Sequence, residues 1–420
     1  MKVPYSMLIH KTRIWELQSN LKTRTLIFAT FLEITMLTDT TSTAYSKRIT
    51  RIAVGAMFFL QGMSFASWGS RIPTIQQALG LSEAALGGVL FSLPVGLMVS
   101  LPLSGWLVTK IGSKRVVVLS LLTYSLILAT IGFAQSATQL IVALFFFGLA
   151  GNMVNIAINT QAVGVEEMYK KPIMASFHGL WSLAGFTGAA IGTFMIGLGI
   201  VPFQHFIGIT IFTFVFVAIA SRYILSEDIK TGEEQRVFVM PTKSLLTLGL
   251  IAFCSMVCEG AMFDWSGVYF KKVLQVENAW VGAGYTAFMC AMASTRFVAD
   301  WLTGKFGLKR VLQASGILTL VGLVIAVALP YLLPATIGFL LVGAGVSSVV
   351  PLVYSAAGKT TTMSPGAAIA AVSTISFFGF LIGPPMIGLI AGATSLRVSL
   401  SVIAVLGFCV TVISTRTKSI

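Results

Sequence analysis

The chain has 420 residues, of which 56% are hydrophobic and only 10% are charged; its mean hydropathy is +0.91. Water-soluble domains carry about a quarter of their residues as charges, so this composition argues against a soluble enzyme. The net charge of +14 comes from basic residues scattered between apolar runs, which argues against a nucleic-acid partner.

The first 48 residues hold one apolar run, 25–37, which is too short to cross a bilayer, carries Glu33 and lacks the small-residue cleavage site of a signal peptide. Residues 1–48 are therefore expected to be a cytoplasmic extension, disordered or lying on a surface, with Met36 as an alternative start. Beyond it, a ruler of about 20 apolar residues finds twelve helical spans: 50–72, 83–109, 114–134, 137–164, 172–200, 203–224, 243–270, 279–303, 309–329, 334–358, 366–392 and 395–414. The runs are too long, and apolar on too many sides, for membrane β-strands. The expected fold is thus an all-α membrane protein with six spans in 49–224 and six in 243–414. A charged linker, 225–242, joins the two sets, and 415–420 form a short tail. If both termini are cytoplasmic, then of the 28 basic residues only Arg71, Lys271, Lys272, Arg296 and Arg397 fall outside cytoplasmic segments. That is the bias lysine and arginine show in membrane proteins, and it predicts a multi-pass protein of the cell membrane, in bacteria the inner membrane.

Polar groups at bilayer depth need a reason, because a carboxylate at a helix centre costs about 2.5–3.5 kcal/mol on insertion scales. In chain order, Gln61 and Trp68 lie in the first span. Asn152, Asn155 and Asn159 share one face of the fourth at i, i+3 and i+7. Carboxamides offer paired donors and acceptors suited to hydroxyls; the alternative is bonding between helices. His178 and Trp181 lie one turn apart on the fifth span, where the histidine either meets substrate and protons or packs. The seventh span holds the two deep acids, Glu259 and Asp264. Glu259, near the midpoint, is expected to bind and release a proton or to contact substrate. Asp264 either pairs with Arg71 across the seam between the halves or sits in the headgroup layer. Trp265 and Phe377, like Trp68 and Trp181, could stack on a sugar ring; tryptophan is also common at membrane interfaces. The cysteines, Cys254, Cys258, Cys290 and Cys409, offer one helical-turn spacing and no further ligand, so no metal site is expected.

The most specific signal is an internal repeat. The segment 105–115, GWLVTKIGSKR, aligns without a gap to 300–310, DWLTGKFGLKR, at a shift of 195 residues. Trp68 aligns with Trp265 and Gly192 with Gly388 at nearly that shift. Six plus six helices in parallel repeats around a charged central link is a common arrangement of secondary transporters. The repeated segment resembles the loop motif between helices two and three of the major facilitator superfamily. That resemblance assigns Lys110, Arg115, Lys305 and Arg310 to gating. The motif's usual acid is replaced by Thr109 and Gly304, which puts the family's latch in doubt; Asp300 could stand in by pairing with Arg296 at i, i+4. Phe58-Phe59-Leu60-Gln61-Gly62, Ile72-Pro73 and Asn155…Asn159 are similar to the fucose-permease branch. Ala66-Ser67-Trp68…Arg71, Phe177-His178-Gly179 and Glu259-Gly260…Asp264-Trp265 are similar to bacterial inner-membrane members related to the membrane protein of rhizopine loci. The acids tied to proton coupling in the fucose permease fall here at Gly69 and Asn155, so neither fucose specificity nor that proton route carries over.

The expectation is a monomeric secondary transporter, not an enzyme. It would move a small polar, sugar-like solute by alternating access, driven by protons, with no cofactor and only lipid around it. No nucleotide-cradling loop is present in the sequence. A proton-driven exporter of amphipathic compounds, favoured by the Phe- and Met-rich composition, and a non-transporting membrane receptor are the alternatives.

Overall fold

The computed structural model describes residues 46–170, 173–228, 242–358 and 365–416. The extension and most of the charged linker lie outside these residues. Among the described residues, thirteen α-helices run in chain order: α1 (Lys47–Ala78), α2 (Glu83–Ile111), α3 (Ser113–Ile131), α4 (Ala137–Tyr169), α5 (Met174–Gly197), α6 (Pro202–Ala220), α7 (Lys243–Lys272), α8 (Ala283–Phe306), α9 (Leu308–Ala328), α10 (Leu332–Val346), α11 (Val349–Gly358), α12 (Pro365–Ala393) and α13 (Leu396–Arg416). A 3₁₀ turn, Asn278–Trp280, precedes α8.

Local chemistry sets several of the helix starts. The hydroxyls of Ser82, Ser136 and Thr242 accept from the backbone N–H groups of Ala85, Gln139 and Leu245 at the starts of α2, α4 and α7. Pro202 opens α6, where its missing N–H has no partner to lose. The span expected as one helix over 334–358 is two: α10 ends at Val346 and α11 begins at Val349. Pro351 cannot donate to the carbonyl four residues back, and that carbonyl belongs to Ser347. Among the described residues, eleven spans, with α10 and α11 taken as one, are long and apolar enough to cross a membrane by length and composition. The twelfth, α8, is as long but carries Arg296, Asp300 and Lys305.

The helices pack in two sets. In the first, α1 lies on α5, α2 on α4, and α3 on α4 and α6; in the second, α7 lies on α12 and α13, and α9 on α10 and α13. Cross-set packing runs through α2 with α12, α5 with α8, and α1 with α7.

The duplication seen in the sequence recurs in three dimensions. Gly112 and Gly307, each ending a helix and beginning the next, have φ/ψ of 84°/149° and 82°/152°, a region a side chain rarely adopts. Lys110 Nζ lies 4.5 Å from the Trp106 ring centre, and Lys305 Nζ 5.0 Å from that of Trp301. Gly148 of α4 packs on the Leu93 carbonyl of α2, and Gly343 of α10 packs on the Phe288 carbonyl of α8. Both partners are displaced by the same 195 residues. Trp106 and Trp301 are exposed near one end of the bundle, and Trp280 and Tyr331 near the other, as expected of aromatic belts at two membrane interfaces.

The two ends differ in what closes them. At the end bearing the α1–α2 turn, Lys272 Nζ lies 2.7 Å from Glu83 Oε1, and the hydroxyls of Thr193 and Thr286 are 3.1 Å apart. There Gly87 meets the backbone of Gly388 and Pro384 so closely that a side chain would not fit. At the α2–α3 end, Asp228 caps α3: its carboxylate accepts from the backbone N–H and the hydroxyl of Ser113. Gln161 of α4 ties that cap down through Ser113 Oγ (2.7 Å) and the Leu225 backbone (2.9 and 2.8 Å).

Candidate functional site

A cavity of about 270 Å³ lies between the two sets, walled by α1, α2, α3, α4, α5, α7, α8 and α12. Its α1 wall is Phe58, Gln61 and Phe65, on the opposite side of Trp68 from the α1–α2 turn. Much of the wall is apolar: Leu93, Leu97, Phe147, Met256, Phe263, Phe377 and Phe380. Phe263 stands at the junction, with its ring edge-on to Phe65, Trp181 and Phe288 at 5.3, 6.5 and 5.6 Å.

Into this surface project a few polar groups, the pattern typical of small-molecule sites. Gln61 donates to the Gly151 carbonyl (2.9 Å), and its Oε1 is buried without a partner. Asn152 donates to Ser100 Oγ (2.7 Å). Asn155 lines the cavity, and its Oδ1 accepts from Asn159 (3.0 Å). Asn159 itself is outside the wall and steadies Asn155 from one turn on. His178 and Trp181 of α5 line the cavity, with Phe58 edge-on to the histidine ring at 5.5 Å.

The charged centre is a pair in which Glu259 is buried and Arg296 partly so. Arg296 Nη2 lies 3.4 Å from Glu259 Oε1. Arg296 Nη1 donates to Ser182 Oγ (2.7 Å), and Nε donates to the Ser347 carbonyl (3.1 Å). That carbonyl is the one left free by the break between α10 and α11. The guanidinium therefore joins α5 of the first set to α7 and the α10–α11 break of the second, using the fork of donors that suits arginine to such a place. Arg296, expected near the gating motif beside Asp300, instead faces Glu259; the Asp300 side chain lies outside the described residues. Its depth was readable, since it sits midway along α8, but its i, i+4 spacing drew attention to Asp300. Ser182 and Ser347 carried no sequence signal, being ordinary residues made relevant by what approaches them.

Of the remaining expected residues, Phe377 lines the cavity and the others lie elsewhere. Arg71 and Asp264 form no ion pair; Arg71 Nε donates to His205 Nδ1 at 3.2 Å. Asp264 is buried outside the cavity wall. Trp68 and Trp265 are 1% and 0% exposed, off the wall, with unpartnered indole nitrogens. They pack the core, so ring stacking on a solute would require them to move. Phe377 is on the wall. Lys110, Arg115, Lys305 and Arg310 are at the α2–α3 end, away from the cavity. Among the described residues, no group of three or more His, Cys, Asp or Glu is arranged to hold a metal.

Residues 54–294 and 276–418 match the family model of the Major Facilitator Superfamily. An uncharacterized MFS-type transporter of Yersinia pestis is 32% identical over 85% of this chain and 92% of its own length. Membrane protein MosC of Rhizobium meliloti is 30% identical over 86% and 88%. The fold is similar to that of the nucleoside transporter NupG, with a TM-score of 0.69 at 13% identity over 88% of this chain and all of that one. It also resembles a bacterial homolog of the human lysosomal transporter Spinster in an inward-facing, unoccupied conformation, with a TM-score of 0.67 at 12% identity over 89% and 97%.

Proposed function

Because this chain belongs to the Major Facilitator Superfamily and is a membrane transporter, we propose that it moves a small polar, sugar-like solute through the central cavity by alternating access, with proton movement coupled through Glu259. The observation that carries this reading is the bridge Ser182–Arg296–Glu259, whose two charged members line the cavity. A buried ion pair is stable only while both partners are charged. Protonation of Glu259 would free Arg296 from α7, and a solute hydroxyl or carbonyl could then take its place. The carboxamides of Gln61 and Asn155 supply donors and acceptors to further hydroxyls, and the aromatic wall offers faces for the apolar side of a ring.

In this reading the Glu83–Lys272 pair and the Gly87–Gly388 approach close the α1–α2 end. The crowd of lysines and arginines at the α2–α3 end supports placing that end in the cytoplasm, in the bacterial inner membrane, with the protein acting as a monomer. Lys110, Arg115, Lys305 and Arg310 would then gate the cytoplasmic side. Uptake is the direction favoured.

The test is a thermal-shift screen of the purified protein with sugars, inositols, amino sugars, nucleosides and amphipathic cations, followed by uptake of each polar hit into proteoliposomes under an inward proton gradient. A hit should stabilise the protein by RT ln(1 + [L]/Kd) and be accumulated. A panel with no hit among polar solutes, beside hits among amphipathic cations, would overturn the reading. The apolar wall gives that second reading, an exporter of amphipathic compounds, its one supporting observation. Growth of a deletion strain on toxic amphiphiles checks it, with sensitisation as the supporting outcome.

A further inference from the structure

A second cavity, of about 200 Å³, lies at the α1–α2 end and shares no residue with the central one. Its polar wall is Arg71, Thr74 and Gln77 of α1, Lys271 of α7 and Asn278 of the 3₁₀ turn. Apolar residues of the α5–α6 connection, among them Ile200 and Val201, close the remainder.

Arg71 is unusual here. It is 1% exposed, and a guanidinium keeps its charge at any ordinary pH. Its one hydrogen-bond partner among the described residues is the imidazole of His205, an uncharged acceptor through Nδ1. Its Nη2 is buried with no partner. An unpaired buried charge is among the costliest things a fold can hold, and no acid lines this cavity to offset it. Glu83 is taken by Lys272. Lys271 adds a second cation, held by Asn278 Oδ1 at 2.7 Å, which leaves protons of its ammonium for another acceptor.

We propose that this cavity binds a small carboxylate anion, with Arg71 and Lys271 as its charged contacts. A planar carboxylate matches the guanidinium fork. Thr74, Gln77 and Asn278 offer it further donors. The anion would sit where α1 of the first set meets α7 of the second, so its binding favours the arrangement in which this end is closed.

Tryptophan fluorescence tests this on the full-length protein in detergent, since Trp68 lies one turn from Arg71. Sodium acetate is titrated against the bulky sodium salt of MES at constant ionic strength, with sodium chloride as a parallel arm. The expected result is saturable acetate binding that is tighter than chloride binding. Arg71→Gln should raise the acetate Kd by about tenfold or more, the size of a lost charge-assisted contact. Lys271→Gln should raise it by a smaller factor, and Arg222→Gln, an exposed cation at the other end, should leave it unchanged. If Arg71→Gln does not fold, Lys271→Gln decides: an unchanged Kd overturns the assignment. Non-saturable acetate effects, equal affinity for chloride, or unaltered binding in Arg71→Gln would each overturn it as well.

Discussion

The environment of Arg296 illustrates how a residue's role depends on what surrounds it. Among the described residues the guanidinium has three partners, of which only Glu259 is charged. Removing one member of a buried pair leaves the other uncompensated, whereas removing both can be nearly neutral. We therefore expect Glu259→Gln and Arg296→Gln each to lower the melting temperature, by about 2–4 °C for each kcal/mol lost in a chain of this size or somewhat less. The double variant should melt closer to the wild type than either single does. Equal, additive losses in a thermal-unfolding series would mean that the two residues are not coupled. The carboxyl was visible in the sequence as a rare intramembrane acid. Its partner was not, because pairing across α7 and α8 is a property of packing and not of spacing. The same limit explains Arg71: its burial against His205, 134 residues away, could not be read from either helix alone.

At the scale of elements, glycines set how closely helices approach. Gly148 rests on the Leu93 carbonyl, and Gly343 rests on the equivalent Phe288 carbonyl. A methyl at either place would meet backbone, which cannot swing aside. Gly148→Ala and Gly343→Ala should each destabilise the protein, at roughly the 1–3 kcal/mol typical of overpacking; the melting temperature of the purified variants measures it. Gly105→Ala, where a methyl meets open space, is the control that should melt as the wild type does. Most of the helical architecture was legible because an apolar run of bilayer length is a strong signal, and because the duplication in 105–115 and 300–310 is carried by matching residues. The break in the tenth span was harder to read. Proline inside a membrane helix is often tolerated, and nothing in the local sequence says whether Pro351 bends the helix or divides it. The structure divides it, and the freed Ser347 carbonyl is used by Arg296.

For the molecule as a whole, the proposal requires the α1–α2 end to open and close. The near contact of Gly87 with Gly388 is a point of that closure where backbone meets backbone. Gly87→Val should hold the two sets apart there, so that a cysteine placed at Thr193 or Thr286 becomes reactive to a membrane-impermeant thiol reagent while solute exchange falls. Unaltered labelling together with normal exchange would show that closure of this seam is not part of the cycle. Alternating access also predicts that Lys272→Glu, which repels Glu83 across the same seam, shifts labelling in the same direction. Its effect should be smaller, because exposed pairs contribute only modestly.

The central claim is that Glu259 carries the proton that drives solute movement. The most direct measurement compares two modes of transport in proteoliposomes containing Glu259→Gln, using a solute identified by the binding screen. Glutamine keeps the shape and much of the hydrogen bonding but cannot lose or gain a proton in this range. The account predicts that accumulation driven by an imposed proton gradient is abolished, while counterflow exchange, which needs no net proton movement, persists. Uphill accumulation at the wild-type level in this variant would contradict it.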